Sequence, residues 1–257
     1  AASDVYKRQD LIPQANYQLA TYALAELFTR KDEAEIAELR KAGQAIDAVH
    51  AQVPKLLQPG RTEAEVAQEL EELILQEHTV IDFVIVGSGP NGANPHHSFS
   101  DRVLAEGEPV VVDIGGTLPS GYHSDCTRTY VVGGDVSKAP QDFQDAYAVL
   151  ADAQAAARAA AHPGSIAAEI DAITRKAIAA AGWGDNFVHR TGHGIGLSTH
   201  EEPFIMEGND LTLEEGMAFS IEPGIYVEGK WGMRLEDIVV LTSDGYESLN
   251  LAPREVR

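Results

Sequence analysis

The chain has 257 residues, 44% of them hydrophobic, which is enough for a substantial core in one large domain or two small ones. Its formal net charge of −21 disfavours partners such as nucleic acid or anionic membranes. No apolar run approaches the roughly 18 residues of a membrane helix, and the start lacks a secretory signal, so we predict a cytoplasmic protein.

The first half of the chain predicts two helices and then three strands. Residues 1–9 show no apolar period, and we interpret the string SDVYKRQ as a non-native start from sequencing-adapter read-through. Apolar residues recur at helical spacing from about residue 32, and Thr62 with Glu65 has the form of a capping box that opens a second helix. Extended runs rich in Val, Ile or Thr follow at 80–87, 109–114 and 127–132.

The second half of the chain repeats this order of elements. Its predicted elements are helices around 140–161 and 165–181 and strands near 217–227 and 234–241. The matched positions are Pro59-Gly60 with Pro163-Gly164 and Glu65 with Glu169, both 104 residues apart, and Gly107 with Gly216, each six residues before an acidic residue. The repeat predicts an α+β fold of two pseudo-symmetric halves that share one antiparallel sheet.

The segment 87–92 has the G-x-G-x-x-G form of a dinucleotide-binding loop and follows the apolar strand IDFVIV. That motif must open a helix whose N-terminus holds a pyrophosphate. Here Pro90 and Pro95 interrupt the backbone at once, and no helical period follows. We therefore predict a loop that binds no nucleotide and that delivers His96 and His97.

Carboxylates attached to apolar strand sequence form the strongest chemical signal. Asp113 ends PVVVD, Glu222 ends MAFSIE and Glu236 sits inside MRLEDIVVL. One such carboxylate alone could lie on a solvent face, but burial of an isolated one is costly. Together with Asp125 and with His193 of GHGIG, they suit divalent ions and are too many for one mononuclear zinc. We therefore predict two metal ions, which could share carboxylates and polarise a scissile carbonyl.

The segments VVVDIGGTLPSGYHSDCTRTY, HRTGHGIGLSTHEEP, FSIEPGIY and GMRLEDIV closely resemble those of the methionine aminopeptidase, aminopeptidase P and prolidase superfamily. The resemblance runs from about residue 30 to the end of the chain. It implies the pita-bread fold, in which two pseudo-symmetric halves of helices pack on a curved antiparallel sheet. It also implies a metallo-exopeptidase that hydrolyses Xaa-Pro bonds in dipeptides or short peptides, and it allows a homodimer.

The resemblance further implies a role for each matched residue. The expected metal ligands are Asp113 for one ion, His193 and Glu222 for the other, and Asp125 and Glu236 as bridges between them. The expected catalytic residues are Glu222 as proton shuttle, His200 as partner of the developing oxyanion, His189 and His96. The expected substrate-binding residues are Arg234, His96 and His189. Mn²⁺ is the favoured ion, with Co²⁺, Zn²⁺ or Fe²⁺ as alternatives, because carboxylate-rich sites accept several divalent ions.

Proline-specific relatives usually carry an additional N-terminal domain. We expect residues 1–30 to hold the tail of such a domain together with the non-native start, and residues 31–257 to form the catalytic metallopeptidase domain. Two alternatives stay open. One is a same-fold enzyme without proline specificity, such as a methionine aminopeptidase, a creatinase-type or ectoine-type hydrolase or a dimethylsulfoniopropionate lyase. The other is a catalytically inactive binding module.

Overall fold

The structure, a computed structural model, describes residues 10–16 and 20–257. The predicted non-native start at residues 1–9 lies outside the described residues. The helices are α1 (Ala20–Thr29), α2 (Glu33–His50), α3 (Val53–Leu56), α4 (Glu63–Ile74), α5 (Gln141–Ala160) and α6 (Ala167–Ala180). Within the described part of the chain, no helix is long and apolar enough to span a bilayer.

Two helices of the first half begin at capping boxes, in which side chain and backbone satisfy each other's free groups. Asp32 accepts from the backbone of Glu35 at the start of α2, and the Glu35 side chain accepts from the Asp32 backbone. Thr62 and Glu65 form the same arrangement at the start of α4, as predicted. Each helix therefore starts at a position that its own sequence specifies.

The strands pair in antiparallel ladders throughout. They are β1 (Val80–Ser88), β2 (Pro109–Thr117), β3 (Cys126–Val131), β4 (Gly192–Gly194), β5 (Glu201–Ile205), β6 (Ala218–Ile221), β7 (Gly224–Val227), β8 (Trp231–Arg234), β9 (Asp237–Thr242) and β10 (Gly245–Ser248). Hydrogen bonding groups them as β1-β2-β3, β10-β9-β6-β4-β5 and β7-β8. Apolar side chains from the helices and from the strands pack against one another and form the core.

The internal repeat is visible in matched backbone hydrogen bonds. Gly60, at φ +91°, donates to the carbonyl of Leu104 at 3.0 Å, and Gly164, at φ +97°, donates to the carbonyl of Leu213 at 2.8 Å. Only glycine adopts this left-handed conformation readily, so the two Pro-Gly turns fix equivalent starts for α4 and α6. The predicted pseudo-symmetry of the halves thus extends to individual hydrogen bonds.

Two predicted strands of the second half are each broken in two. The run 217–227 divides into β6 and β7 at Pro223, which has no N–H to give to a ladder. The run 234–241 divides into β8 and β9, because Leu235 donates to the Pro223 carbonyl at 3.3 Å and Glu236 donates to the Thr127 carbonyl at 3.2 Å. The chain therefore changes sheets next to Glu222 and at Glu236.

The segment with the G-x-G-x-x-G form is also more ordered than predicted. It contains a short 3₁₀ helix, Gly89–Ala93, rather than an irregular loop. No α-helix follows it before β2, so a pyrophosphate has no helix N-terminus there. The helix that a dinucleotide-binding motif must open is therefore absent after this segment, as the two prolines predicted.

Candidate metal centre

The structure brings the five predicted metal ligands to one place. Four are buried and Glu222 is partly exposed, and all five line a cavity of about 780 Å³. Their positions are Asp113 in the middle of β2, Asp125 just before β3, His193 in the middle of β4, Glu222 directly after β6 and Glu236 between β8 and β9. Each half of the repeat therefore contributes two carboxylates.

Three of these side chains form the tightest group. Ligand atoms of Asp125, His193 and Glu236 all lie within 4.8 Å of one another. His193 Nε2 is 3.6 Å from Asp125 Oδ2 and 3.2 Å from Glu222 Oε1. The other ring nitrogen, Nδ1, lies 3.0 Å from the Gly194 carbonyl, which favours the tautomer that leaves Nε2 free as a ligand.

Two carboxylate oxygens of the site have no hydrogen-bond partner, which indicates whether these residues fit a metal ion. Asp113 Oδ1 and Glu236 Oε1 are both buried, and neither has a hydrogen-bond partner. Buried polar atoms are normally satisfied, and an orphan acceptor carries a cost of about 1–3 kcal/mol. Oxygen acceptors that converge beside one imidazole suit a divalent cation, so the donor set fits a metal ion.

The carboxylates of the site also repel one another. Burial, followed by the negative charges of Glu236, Asp113 and Glu222, raises the pKa of Asp125 well above its usual value. Burial and the charges of Glu222 and Asp113 do the same to the pKa of Glu236. A group of buried carboxylates that oppose each other's ionisation is an arrangement that a bound cation would relieve.

Glu222 differs from the other carboxylates in its surroundings. Burial opposes its ionisation, but the hydrogen bond and charge of His193, together with the charges of His189 and Arg234, lower its pKa to about 2. Ser220 Oγ donates to Glu222 Oε1 at 3.0 Å and accepts from the His193 backbone at 2.9 Å. The Glu222 side chain is therefore anionic and held in one orientation.

Arg234 is fully engaged inside the site. Its guanidinium donates to Asp113 Oδ2, to the Tyr226 hydroxyl at 2.8 Å and to the Pro95 carbonyl at 3.3 Å, while Nε donates to Thr127 Oγ1 at 3.1 Å. Arg234, expected from the resemblance to bind substrate, is thus already paired with the Asp113 carboxylate.

The predicted histidines lie around the same cavity. His189 Nε2 is 2.9 Å from the Tyr226 hydroxyl, and its Nδ1 is 2.7 Å from the Arg190 carbonyl. The His200 ring packs 4.1 Å from that of His193, and burial together with the charge of His193 lowers the pKa of His200 to about 4. His96 is exposed and lines the cavity.

His96 and His97, adjacent in the sequence, have different environments. His97 Nε2 lies 2.9 Å from the carboxylate of Glu63, on the side of the segment away from the metal ligands. Among the other tyrosines near ligands, Tyr122 donates to Glu35 at 2.7 Å. Neither His97 nor Tyr122 is among the residues that line the cavity.

Several residues of the site were not predicted from the sequence. Thr127 donates to Glu236 Oε2 at 2.7 Å, and Ser220 holds Glu222. Each lies two positions from a predicted ligand on or beside the same strand, so the period of two places both side chains on one face. Arg190 lines the cavity with its guanidinium 4.8 Å from the ring centroid of Phe204. Only the strand period could have indicated the first two.

Close backbone contacts position His193 beside β6. A Cβ atom on Gly192 would lie 1.9 Å from the Ser220 carbonyl oxygen, and one on Gly194 would lie 2.2 Å from that of Glu202. Neither glycine could be replaced without displacement of the backbone. The two glycines therefore let the backbone of β4, which carries His193, lie close to both β6 and β5.

Comparison with known proteins identifies the class to which this fold and site belong. The sequence profile of metallopeptidase family M24 matches residues 37–243. The chain belongs to metallopeptidase family M24. Metallopeptidases depend on metal ions, and the buried Asp125, His193 and Glu236 group can hold one.

Particular relatives lie close in sequence and structure. The chain is 57% identical over 239 residues to "Probable dipeptidase PepE" of Mycobacterium tuberculosis, covering 93% of this chain and 63% of that protein. It is 42% identical over 238 residues to Xaa-Pro dipeptidase of Lactobacillus delbrueckii subsp. lactis, covering 91% and 63%. The chain thus spans less than two thirds of the length of these curated relatives.

Solved structures confirm the predicted pita-bread fold class and its α+β arrangement. Prolidase from Pyrococcus furiosus superimposes with a TM-score of 0.86 at 36% identity, covering 90% of this chain and 68% of that one. Dipeptidase PepE from Mycobacterium ulcerans superimposes with a TM-score of 0.89 at 55% identity, covering 93% and 63%. The predicted domain boundary at residue 31 stays a prediction.

Proposed function

We propose that this chain hydrolyses the peptide bond before proline in dipeptides and short peptides, with two divalent metal ions. The observation that carries the proposal is the set of converging carboxylates, two of which have a buried oxygen without a partner. The relatives named prolidase and Xaa-Pro dipeptidase support the proline specificity. Mn²⁺ is the favoured ion, and the homodimer and the cytoplasmic location stay predictions.

The proposed ligands are the five residues of the metal centre: Asp113, Asp125, His193, Glu222 and Glu236. When bound, the ions would polarise the scissile carbonyl and lower the pKa of water at the site. Their positive charge would also offset the mutual repulsion that raises the pKa values of Asp125 and Glu236. Metal binding and the ionised state of the carboxylates therefore favour each other.

Glu222 is the proposed general base and acid. Its carboxylate would accept a proton from the attacking water and deliver it to the proline nitrogen as the C–N bond breaks. Ser220 keeps one carboxylate oxygen in a fixed orientation, so the other can reach both partners. With a pKa of about 4, His200 is neutral at pH 7 and can donate a hydrogen bond from one ring nitrogen to the developing oxyanion.

His189 and His96 are the proposed neighbours of the substrate side chains. Both ring nitrogens of His189 already have partners in Tyr226 and Arg190, so we propose that His189 shapes the pocket with its ring rather than through a proton transfer. The exposed His96 imidazole can contact the substrate directly. Arg234 would mainly orient Asp113 and Tyr226.

Arg190 is the proposed partner of the substrate's free carboxylate. It lines the cavity with its guanidinium packed on Phe204, and among the described residues it has no carboxylate partner. Arg234, the other arginine of the lining, is already paired with Asp113. A dipeptide brings its C-terminal carboxylate near the scissile bond, where an unpaired guanidinium would bind it.

One set of assays tests the proposal. Purified protein with added Mn²⁺ is incubated with Ala-Pro, an Xaa-Pro-Xaa peptide, a Met-Ala peptide and dimethylsulfoniopropionate. We expect cleavage of Ala-Pro and a fall of about 10²–10⁴-fold in turnover for Glu222→Gln. Cleavage of the Met-Ala peptide without cleavage of any Xaa-Pro bond would overturn the proline specificity.

A comparison of Ala-Pro with its C-terminal amide tests the role of Arg190. We expect Arg190→Met to raise KM for Ala-Pro about tenfold or more, while hydrolysis of the amide changes little, because the amide has no carboxylate to pair. Equal effects on both substrates would contradict the assignment.

A further inference from the structure

Glu63 is a buried carboxylate outside the metal centre. It is the first residue of α4, and its side chain is fully buried. The corresponding position in the second half is Ala167, which starts α6 with the same type of backbone hydrogen bond: both N–H groups donate to a returning segment at 3.0 Å. The repeated fold therefore forms this helix start without a carboxylate, and Glu63 needs another explanation.

The Glu63 carboxylate binds one segment of the chain at several points. Oε1 accepts from the Ser88 backbone at 2.8 Å, from Ser88 Oγ at 2.6 Å and from Asn91 at 3.1 Å. Oε2 accepts from Asn91 at 3.1 Å, from Ser100 at 2.7 Å and from His97 at 2.9 Å. These partners cover both ends and the middle of residues 88–100, which we call the wall segment.

The opposite side of the wall segment faces the metal centre. Pro95, His96, Ser98 and Phe99 line the cavity together with the proposed ligands. The segment is also fixed from this side, because the Pro95 carbonyl accepts from Arg234 at 3.3 Å. His97 points to Glu63 while His96 lines the cavity, so one carboxylate fixes the backbone from which His96 projects.

We infer that Glu63 is a positioning residue of the active site, which holds the wall segment so that His96 faces the substrate. The inference rests on the proposed function for its catalytic consequence. Glu63 contacts none of the proposed metal ligands, so its effect should reach the substrate side of the cavity and leave metal binding unchanged.

The chemistry of the group explains why a carboxylate is needed. An ionised carboxylate only accepts hydrogen bonds, and every partner of Glu63 here is a donor. In Glu63→Gln, one oxygen becomes an NH₂ group that faces donors, so several buried donors lose their acceptor. The wall segment would then leave its position, although the length of the side chain is unchanged.

Glu65→Gln provides a matched control. Glu65 lies on the same helix, is exposed, and serves only the capping box through its bond with the Thr62 backbone. Glutamine also fits a capping box, so this variant loses the same charge from the same helix without any effect on the wall segment. Ser100→Ala, which removes one donor and adds none, gives a milder disturbance if Glu63→Gln fails to fold.

The decisive measurement is a double-mutant cycle on Ala-Pro hydrolysis with His96→Ala. We expect Glu63→Gln to lower kcat/KM about 10–100-fold in the wild-type background, Ser100→Ala to lower it less, and Glu65→Gln to leave it within about twofold. In the His96→Ala background the effect of Glu63→Gln should largely disappear, with Mn²⁺ affinity unchanged. An equal loss in both backgrounds, or no loss, would overturn the inference.

Hydrogen exchange separates failure of this inference from failure of the proposed function. Glu63→Gln should speed amide exchange within residues 94–99 relative to both wild type and Glu65→Gln, whether or not the protein cleaves Xaa-Pro bonds. Wild-type protein that is inactive on every peptide would overturn the proposed function, and the exchange rates would still decide the positional role. Unchanged exchange in this segment would reject that role.

Discussion

Arg234 donates a hydrogen bond to Asp113 Oδ2, while the other oxygen of the same carboxylate, Oδ1, is buried without a partner. Glu236 shows the same division, since Thr127 donates to Oε2 and Oε1 is unpartnered. In each carboxylate, a hydrogen bond to one oxygen fixes the orientation of the group, and the other oxygen is free to bind a metal ion. The two halves of the chain therefore orient their carboxylates in the same way with different donors: a guanidinium holds Asp113, and a hydroxyl holds Glu236.

Thr127→Val should weaken metal binding without removing a ligand. Valine keeps the shape of the side chain but cannot donate to Glu236, so that carboxylate loses its orientation. We expect Mn²⁺ affinity to fall about 10–100-fold, measured by isothermal titration calorimetry. Thr79→Val, at an exposed threonine, is the control and should bind like wild type. Equal affinities for Thr127→Val and wild type would contradict the orienting role.

Asp125→Asn should have opposite effects on the metal-free and metal-loaded proteins. The pKa of Asp125 is raised by burial and by three neighbouring carboxylates, so removal of its charge relieves repulsion in the metal-free fold. In EDTA, we expect Asp125→Asn to melt roughly 2–4 °C above wild type, which corresponds to about 1 kcal/mol. Added Mn²⁺ should raise the melting temperature of wild type but not that of Asp125→Asn.

The control for this experiment is Asp152→Asn, at an exposed aspartate. This variant should melt at the wild-type temperature both in EDTA and with Mn²⁺. A metal-free Asp125→Asn protein that melts below wild type would show that repulsion among the carboxylates is not a significant cost. A preserved Mn²⁺ effect would show that Asp125 is not a ligand.

The ion pair between Lys31 and Glu201 should contribute strongly to stability. Lys31 Nζ lies 2.5 Å from Glu201 Oε1, and their side chains are only 2% and 11% exposed. Lys31→Met leaves a buried carboxylate without its partner, so we expect the free energy of unfolding to fall by about 3–5 kcal/mol in urea denaturation. Lys31→Met with Glu201→Met should cost much less than that.

The more solvent-accessible pair of Lys41 and Glu38, with side chains 63% and 27% exposed, gives the comparison for this measurement. Lys41→Met should lower the free energy of unfolding far less than Lys31→Met does, since solvent screens such pairs. If Lys31→Met and Lys41→Met lowered the free energy of unfolding equally, burial would not increase the cost of removing one partner of an ion pair.

His50 should make the fold sensitive to acid. Burial, followed by the charge of Arg128, lowers the pKa of His50 from 6.5 to about 3. Between these values the unfolded chain binds a proton that the folded chain does not, so the free energy of unfolding decreases as pH falls through this window. The decrease reaches about 1.4 kcal/mol per pH unit.

Urea denaturation between pH 7 and pH 5 measures this dependence. His50→Gln removes the titrating group. The free energy of unfolding of this variant should therefore fall less steeply with decreasing pH than that of wild type, and the difference in slope corresponds to at most one bound proton. His162→Gln, at an exposed histidine, should keep the wild-type slope. Identical slopes for all three proteins would show that His50 is not the acid-sensitive group.

Local patterns in the sequence were sufficient for the four longest helices, α2, α4, α5 and α6, and for most of the site. The Thr62 capping box and the Pro-Gly turns specify where helices start, because side chains adjacent in sequence make the relevant bonds. The acidic residues on apolar strands indicated the metal centre, because only a partner could compensate their burial. The structure brings all five predicted ligands to one cavity.

Features that depend on contacts between distant segments could not be predicted. The run from 234 to 241 is continuous in β-propensity, and it breaks because Leu235 donates to the Pro223 carbonyl and Glu236 donates to the Thr127 carbonyl of the other half. Glu63 looked like an ordinary acidic residue in the first turn of a helix, and its six hydrogen bonds come from residues 25 to 37 positions away. Similarly, His96 and His97 are indistinguishable in sequence but face opposite sides.

The breaks in the second-half strands affect how the protein unfolds. Glu236 lies where the chain passes from one sheet to another, bonded to Thr127 of the first half. An ion held jointly by Asp125 and Glu236 would act as a crosslink between the halves, so neither could open without release of the ion. Bound metal at 100 times its Kd would add about 2.7 kcal/mol against that opening and make the two halves unfold as one cooperative unit.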